Sequence, residues 1–61
     1  MGEYTIYCLV GGVRLVAAEW IEVDTDEEAL NVAAKMRPGT RREVWEYDRL
    51  VGSIELDPGD N

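Results

Sequence analysis

The sequence predicts an α+β domain of ββαββ order, in which one helix covers one face of a four-stranded, mostly antiparallel sheet. Residues 24–37 carry helix signals at both ends and an apolar stripe at helical spacing. The segments on either side are rich in β-branched and aromatic residues, and each is interrupted by a short turn sequence. A chain of 61 residues allows one small core, so a single helix must cover a single sheet.

The helix prediction depends on its capping residues. Thr25 and Glu28 have the spacing of a capping box, in which each side chain accepts the amide proton of the other residue. Acidic residues fill the first turn, and Lys35 and Arg37 occupy the last, as the helix dipole favours. Pro38-Gly39 then ends the helix. The residues predicted to face the sheet are Ala29, Val32, Ala33 and Met36, with Leu30 at the margin.

The first hairpin is predicted to join residues 3–10 and 13–23 through a two-residue Gly11-Gly12 loop. This register turns Tyr4, Ile6, Cys8, Leu15 and Ala17 towards the helix. It places Glu19 on the same apolar face, so either Glu19 lies at the sheet margin or a bulge near residues 17–18 reverses the following residues. The absence of a bulge is favoured, because Ile21 and Val23 then stay inside.

The second hairpin is predicted to join residues 41–47 and 50–56, with Asp48-Arg49 in the turn. Trp45 is predicted to face the helix, with Gly52 opposite it leaving room for the indole. Val44 and Val51 then face away. Residues 1–56 form one predicted domain, and residues 57–61 form a frayed acidic tail.

The predicted strand order is 2-1-4-3, with strands 1 and 4 parallel at the centre. Strand 1 is the most apolar on both faces, which favours a central position. Strand 3 carries Arg41, Arg42, Glu43 and Glu46, a charge density typical of a protected edge. A meander-like order is the alternative.

Composition argues against several classes of protein. The chain has no His and one Cys, so we expect no zinc site, no intramolecular disulfide, no cofactor and no catalytic triad. Cys8 lies on the apolar face of its strand and is predicted to be a core thiol. The net charge of −7 argues against direct nucleic-acid binding. No apolar run reaches the ~20 residues of a membrane helix. A lone thiol and no visible secretion signal favour the cytoplasm.

Two surfaces remain as candidates for binding a protein. One is a set of carboxylates suited to a basic partner, namely Asp24, Asp26, Glu27, Glu28, Glu43, Glu46 and Glu55. The other is the sheet face away from the helix, which is about half apolar and typical of an interface. Its predicted apolar members are Tyr7, Leu9, Val16, Trp20, Val44 and Val51. A cluster of Lys35, Arg37, Arg41 and Arg42 near the helix end complements the helix dipole, or binds an acidic partner.

The segment 43–51 carries an acid, an apolar residue, Trp, a short turn and then Arg-Leu-Val. This pattern resembles short bacterial ββαββ proteins without an assigned activity, so the resemblance implies the fold and brings no activity to carry over. In size and acidity the chain is similar to anti-CRISPR inhibitors, several of which present carboxylates in place of phosphates. The sequence therefore predicts a non-enzymatic inhibitor or modulator of a basic nucleic-acid-handling protein. The alternative is a homodimeric structural or adaptor protein that associates through the open sheet face.

Overall fold

A computed structural model of the protein describes residues 2–11 and 13–55. The elements are β1 (Gly2–Val10), β2 (Arg14–Val23), α1 (Asp26–Ala34), β3 (Arg41–Glu46) and β4 (Arg49–Ile54). The strands form one antiparallel sheet, and α1 contacts all four. The predicted ββαββ class is therefore confirmed. The predicted acidic tail, 57–61, and position 56 of the predicted fourth strand lie outside the described residues.

The helix begins where the capping signature predicted and ends earlier. Thr25 Oγ1 accepts the Glu28 amide proton at 3.1 Å, which confirms the N-cap. The Glu28 carboxylate accepts instead from the amide of Asp24, at 3.0 Å, and not from Thr25 as predicted. The helix stops at Ala34, with Lys35 as its C-cap. The predicted stripe is confirmed, since Ala29 and Ala33 are fully buried and Leu30, Val32 and Met36 pack against the core.

A buried arginine from β3 closes the end of the helix. Arg42 is only 6 % exposed, and its Nη1 donates to the carbonyl oxygens of Ala33 at 3.2 Å, Ala34 at 3.3 Å and Met36 at 2.7 Å. Its Nε donates to the Thr40 carbonyl at 2.9 Å. The last carbonyls of a helix have no partner within the helix and carry partial negative charge. Arg42 therefore satisfies α1 from the neighbouring strand.

The strand order is β2-β1-β3-β4, so the predicted order 2-1-4-3 is wrong in its second half. The central position of β1 was predicted correctly, but its second neighbour is β3, and this pair is antiparallel. The charges of β3 do not mark an edge because the fold neutralises them. Arg42 is buried at the helix end, and Arg41 lies on the other face between Glu43 and Glu55.

The β1–β2 hairpin keeps the predicted faces over most of its length but not the predicted register. Val10 lies opposite Arg14 rather than Val13, so the loop covers residues 11–13. A register shift next to Cys8 leaves Val16 as an extra, bulged residue on β2, so the favoured absence of a bulge is wrong. The bulge precedes residues 17–18 and therefore does not reverse the residues that follow them. The later start of β2 and the bulge together shift the register of β2 by two residues, so Tyr4 lies opposite Ile21 rather than Glu19. Side chains of 17–23 keep their faces, whereas Leu15 turns away from the helix, contrary to the prediction.

The faces of the β3–β4 hairpin are the reverse of the prediction at Val44, Trp45, Leu50 and Val51. Val44 is fully buried beneath the helix, and Val51 packs against the same core, so neither belongs to the open face. Trp45 lies opposite Thr5 of β1 and therefore points away from the helix. A Cβ on Gly52 would lie 3.1 Å from Leu30 Cδ2, so Gly52 makes room for a helix leucine and not for the indole.

Candidate protein-binding surfaces

One end of the molecule collects most of the carboxylates in the described residues. Antiparallel pairing brings Glu3 of β1 opposite Glu22 of β2, and the chain then enters the acidic first turn of α1 at the same end. The β3–β4 turn reaches this end as well, because Arg49 beyond the turn binds Asp26 of the helix. We call this surface the acidic end. Its members are Glu3, Glu22, Asp24, Asp26, Glu27, Glu28, Glu46 and Asp48.

A hydrogen-bonded network ties the acidic end together. The Arg49 guanidinium donates two hydrogen bonds to the Asp26 carboxylate, at 3.0 and 3.2 Å, and two to Glu46 Oε1, at 3.2 Å from Nε and 2.5 Å from Nη2. The hydroxyl of Tyr4 donates to Asp26 Oδ1 at 2.7 Å. The hydrogen bonds from Arg49 and Tyr4 hold the pKa of Asp26 below its usual value. The same carboxylate raises the pKa of Tyr4 to about 12.

This network divides the acidic end into engaged and available carboxylates. Asp26 and Glu46 share Arg49 as their counterion and are partly buried. Asp24, Glu27 and Glu28 are exposed, and no ion pair within the described ranges includes them. The ion pairs of Asp26 and Glu46 with Arg49 fix the helix against the β3–β4 turn. The side chains of Asp24, Glu27 and Glu28 are exposed to solvent beside them.

The structure separates the seven carboxylates predicted to bind a basic partner. Asp24, Asp26, Glu27, Glu28 and Glu46 lie together at the acidic end. Glu43 and Glu55 lie elsewhere, on either side of Arg41 at 3.7 and 3.2 Å. Glu43 also accepts a hydrogen bond from Trp45 Nε1 at 3.2 Å. Sequence reasoning missed Glu3, Glu22 and Asp48, although the pairing of Glu3 with Glu22 follows once the hairpin register is known.

Apart from Arg49, the exposed basic side chains of the described residues collect at the opposite end. Arg14 begins β2, Lys35 and Arg37 follow the helix, and Arg41 begins β3. We call these four residues the basic end. Arg42 belonged to the predicted basic cluster, but its burial against the helix carbonyls removes it from the surface. Arg37 forms an ion pair of 3.5 Å with Glu19. Glu19 lies on the helix face of the edge strand β2, which is the sheet-margin position that was one of its two predicted alternatives.

The second candidate surface is the sheet face away from the helix, which we call the open face. Its most apolar row crosses the whole sheet, because Thr5 pairs with Trp20 on one side and with Trp45 on the other, and Trp45 pairs with Leu50. Trp20 is 63 % exposed and Leu50 is 51 % exposed. Neighbouring rows pair Tyr7 with Ala18 and Glu43, and Leu9 with Leu15 and Arg41. The predicted members Tyr7, Leu9, Val16 and Trp20 therefore lie on or beside this face.

Cys8 was predicted to lie in the core, and the part of the chain that the structure describes contains no cluster of metal-ligating side chains. Cys8 is fully buried in the core, which confirms its predicted position. Residues 2–11 and 13–55 contain no group of three or more His, Cys, Asp or Glu side chains placed to hold a metal ion. The same ranges contain no helix with the length and apolar character needed to cross a bilayer.

Comparison of the chain with protein-family models, with curated proteins and with solved structures finds no match. The resemblance to bacterial ββαββ proteins and to anti-CRISPR inhibitors stays a prediction.

Proposed function

We propose that this protein is a non-enzymatic binding protein whose acidic end engages the basic surface of a nucleic-acid-handling protein, as an inhibitor or modulator. The observation that supports this proposal is the segregation of charge. Asp24, Glu27 and Glu28 project from the acidic end without counterions among the described residues, and the exposed basic side chains other than Arg49 lie at the other end. A basic partner is therefore attracted to one end in particular.

The arrangement suits imitation of a nucleic-acid backbone. A protein surface that binds phosphates presents Lys and Arg side chains, and a cluster of fixed carboxylates competes for the same groups. Fixed charges lose less conformational freedom on binding than charges on mobile segments. Here the N-cap at Thr25 and the Arg49–Asp26 pair hold the first helical turn in place. The proposal assigns the protein to the cytoplasm, where such partners work.

A charge-neutralising comparison tests this function. The chain is immobilised and used to capture proteins from a bacterial extract, followed by elution with duplex DNA. The test variant carries Asp24→Asn, Glu27→Gln and Glu28→Gln. The control carries Glu19→Gln, Glu43→Gln and Glu55→Gln, the same change in net charge away from the acidic end.

We expect a nucleic-acid-binding protein to be captured by the wild type and by the control, to be released by DNA, and to be lost by the test variant. Binding should also weaken as salt rises, because the Debye length falls from about 10 Å at 0.1 M to about 3 Å at 1 M. Equal capture by both variants, or capture that DNA does not displace, would contradict the proposal.

A second candidate function is that of a homodimeric structural or adaptor protein that associates through the open face. The row that joins Trp20, Trp45 and Leu50 favours it, because contiguous exposed apolar side chains are typical of interfaces. Raising salt separates the two candidates. It weakens binding by carboxylates, and it strengthens self-association by screening the net charge of −7 on each copy. Sedimentation at low and high salt measures the difference.

A further inference from the structure

The outer edge of β2 is the longest unpaired backbone edge among the described residues. β2 covers Arg14–Val23 and pairs with β1 on one side only, whereas β4, at the other edge of the sheet, is limited to Arg49–Ile54. Edge strands are commonly protected by short length, by Lys or Pro, by a bulge, or by an inward-pointing charge. The bulge of β2 is confined to Val16, and residues 17–23 keep a regular register. β2 contains neither Lys nor Pro. Its inward-pointing Glu19 is neutralised by Arg37, so this protection is weakened.

Exposed apolar side chains concentrate on the same strand. Leu15, Val16 and Trp20 are 54 %, 47 % and 63 % exposed, although all three belong to β2. Ala17 and Ala18 lie between them and are small enough to allow close approach of another strand. An unpaired edge with apolar residues on either side of two alanines is suited to pairing with a further strand.

We propose that a second copy of this chain pairs with the outer edge of β2 in antiparallel orientation, with the twofold axis at Ala18. Residues directly opposite each other in a ladder share a face, so the axis passes through a residue position. An axis at Ala18 lies beside the bulge at Val16 and brings the bulged Val16 of each copy to the level of Trp20 of the other, in two equivalent apolar contacts. An axis at Glu19 would place two carboxylates opposite each other, which is destabilising.

The charge distribution supports this occupant. Antiparallel pairing brings the Arg14 end of β2 next to the Glu22 end of the second copy. Each basic end then lies beside an acidic end, and this attraction offsets part of the repulsion between two chains of net charge −7. A parallel arrangement would place the two acidic ends side by side. The chain is therefore complementary to itself along this edge in the antiparallel sense.

The inference is independent of partner binding by the acidic end, and it differs from face-to-face association. Pairing at the edge produces one continuous sheet through both copies, in which the two open faces join on the same side. The exposed carboxylates of α1 stay accessible in this dimer.

The first test is thiol cross-linking of Ala18→Cys. Residues directly opposite in an antiparallel ladder have Cβ atoms about 4.5–5.5 Å apart, so the new thiol meets its own copy across the axis. The matched controls are Ser53→Cys, exposed on the other edge strand, and Ala17→Cys, which in this register lies opposite Glu19. Wild type measures the background from the buried Cys8.

Under mild oxidation, and with a short bis-maleimide in parallel, we expect Ala18→Cys to cross-link at least about tenfold faster than either control, because pairing raises the effective thiol concentration to the millimolar range. Equal rates for Ala18→Cys and Ser53→Cys would overturn the proposal. Faster cross-linking of Ala17→Cys would overturn the register.

Sedimentation provides the second test. Val16→Glu should be monomeric at concentrations where the wild type dimerises, with an unchanged circular dichroism spectrum. Leu50→Glu changes the open face on β4, the other edge strand, and should stay dimeric. Loss of the dimer in Leu50→Glu but not in Val16→Glu would show face-to-face association and overturn edge pairing, as would a wild type that stays monomeric throughout. None of these outcomes depends on capture of a basic partner.

Discussion

Replacement of Arg42 by Met should destabilise the protein far more than replacement of its sequence neighbour Arg41. Met keeps the apolar stem of Arg42 and removes the guanidinium, which donates to four carbonyl oxygens in and after the helix. Ala33 is fully buried, and its carbonyl loses the charged donor but keeps the Met36 amide as a partner at 3.1 Å. The carbonyls of Ala34 and Met36 are nearer the surface, where water can replace the lost donor.

The magnitude follows from these differences in exposure. A hydrogen bond to a charged group contributes about 1.5–3 kcal/mol, and no carbonyl is left unpaired, because Ala33 keeps the Met36 amide and the other two reach water. Removing a buried cation also recovers part of its desolvation cost. We therefore expect a net loss of about 2–3 kcal/mol. A chain of this length is stable by roughly 3–9 kcal/mol, at about 0.05–0.15 kcal/mol per residue, so the loss is a large fraction of the total.

Urea denaturation followed by tryptophan fluorescence measures this effect. Arg41→Met removes a guanidinium of the same size that forms partly exposed ion pairs, and it should cost at most about 1 kcal/mol. Arg42→Lys keeps the charge near the helix end but lacks the planar fork, so its stability should fall between the wild type and Arg42→Met. Equal midpoints for Arg42→Met and Arg41→Met would refute the assignment of Arg42 as the cap of α1.

Three further predictions concern the N-cap, the core thiol and the acidic end. Thr25→Ala should cost about 1 kcal/mol and lower the Tm by about 4–8 °C, and an unchanged thermal midpoint would exclude Thr25 as the cap. Cys8 should react slowly with a water-soluble thiol reagent in the folded protein and quickly in denaturant. Ser53→Cys supplies an exposed thiol that should react quickly under both conditions. Rapid labelling of the folded wild type would contradict burial of Cys8. The pKa of Tyr4 is raised from 10.0 to about 12 in the folded state. Stability from the Tyr4–Asp26 contact should therefore be complete below pH 10 and fall as pH rises through 12. In urea midpoints measured from about pH 9 to 12 this loss should be smaller in Tyr4→Phe, where the raised pKa of Tyr47 beside Glu3 still contributes.

Local signals predicted the helix, the four strands and the buried faces of β1 and α1. Capping by Thr25 depends on residues three positions apart, and the alternation of Tyr4, Ile6 and Cys8 is a property of one strand. Each of these features is decided within a few residues, so the sequence contains the whole cause. The distribution of Asp24, Glu27 and Glu28 around the first helical turn was predictable for the same reason.

The strand order and the face of β3 depended on a contact that no short segment reveals. Arg42 reaches the carbonyl end of a helix that precedes it in the chain, and this contact decides which side of β3 faces inward. Val44 then follows Arg42 onto the helix face, and Trp45 takes the open face. Read by itself, the charge on β3 indicated an exposed edge. The division of the carboxylates between the acidic end and Arg41 follows from the same pairing of β3 with β1.

The position of β1 determines when this chain can fold. β1 is synthesised before the other strands, yet it pairs with both β2 and β3. In the β1–β3 ladder, Thr5 lies opposite Trp45. On a ribosome the first hairpin can form as soon as β2 emerges, but the sheet closes only after the helix and β3 have been synthesised. Until then the edge of β1 that pairs with β3 is unpaired, and the core on the face of Ile6 and Cys8 is incomplete. The slow step of folding should therefore be the long-range docking of β3 onto β1, and not the formation of either hairpin.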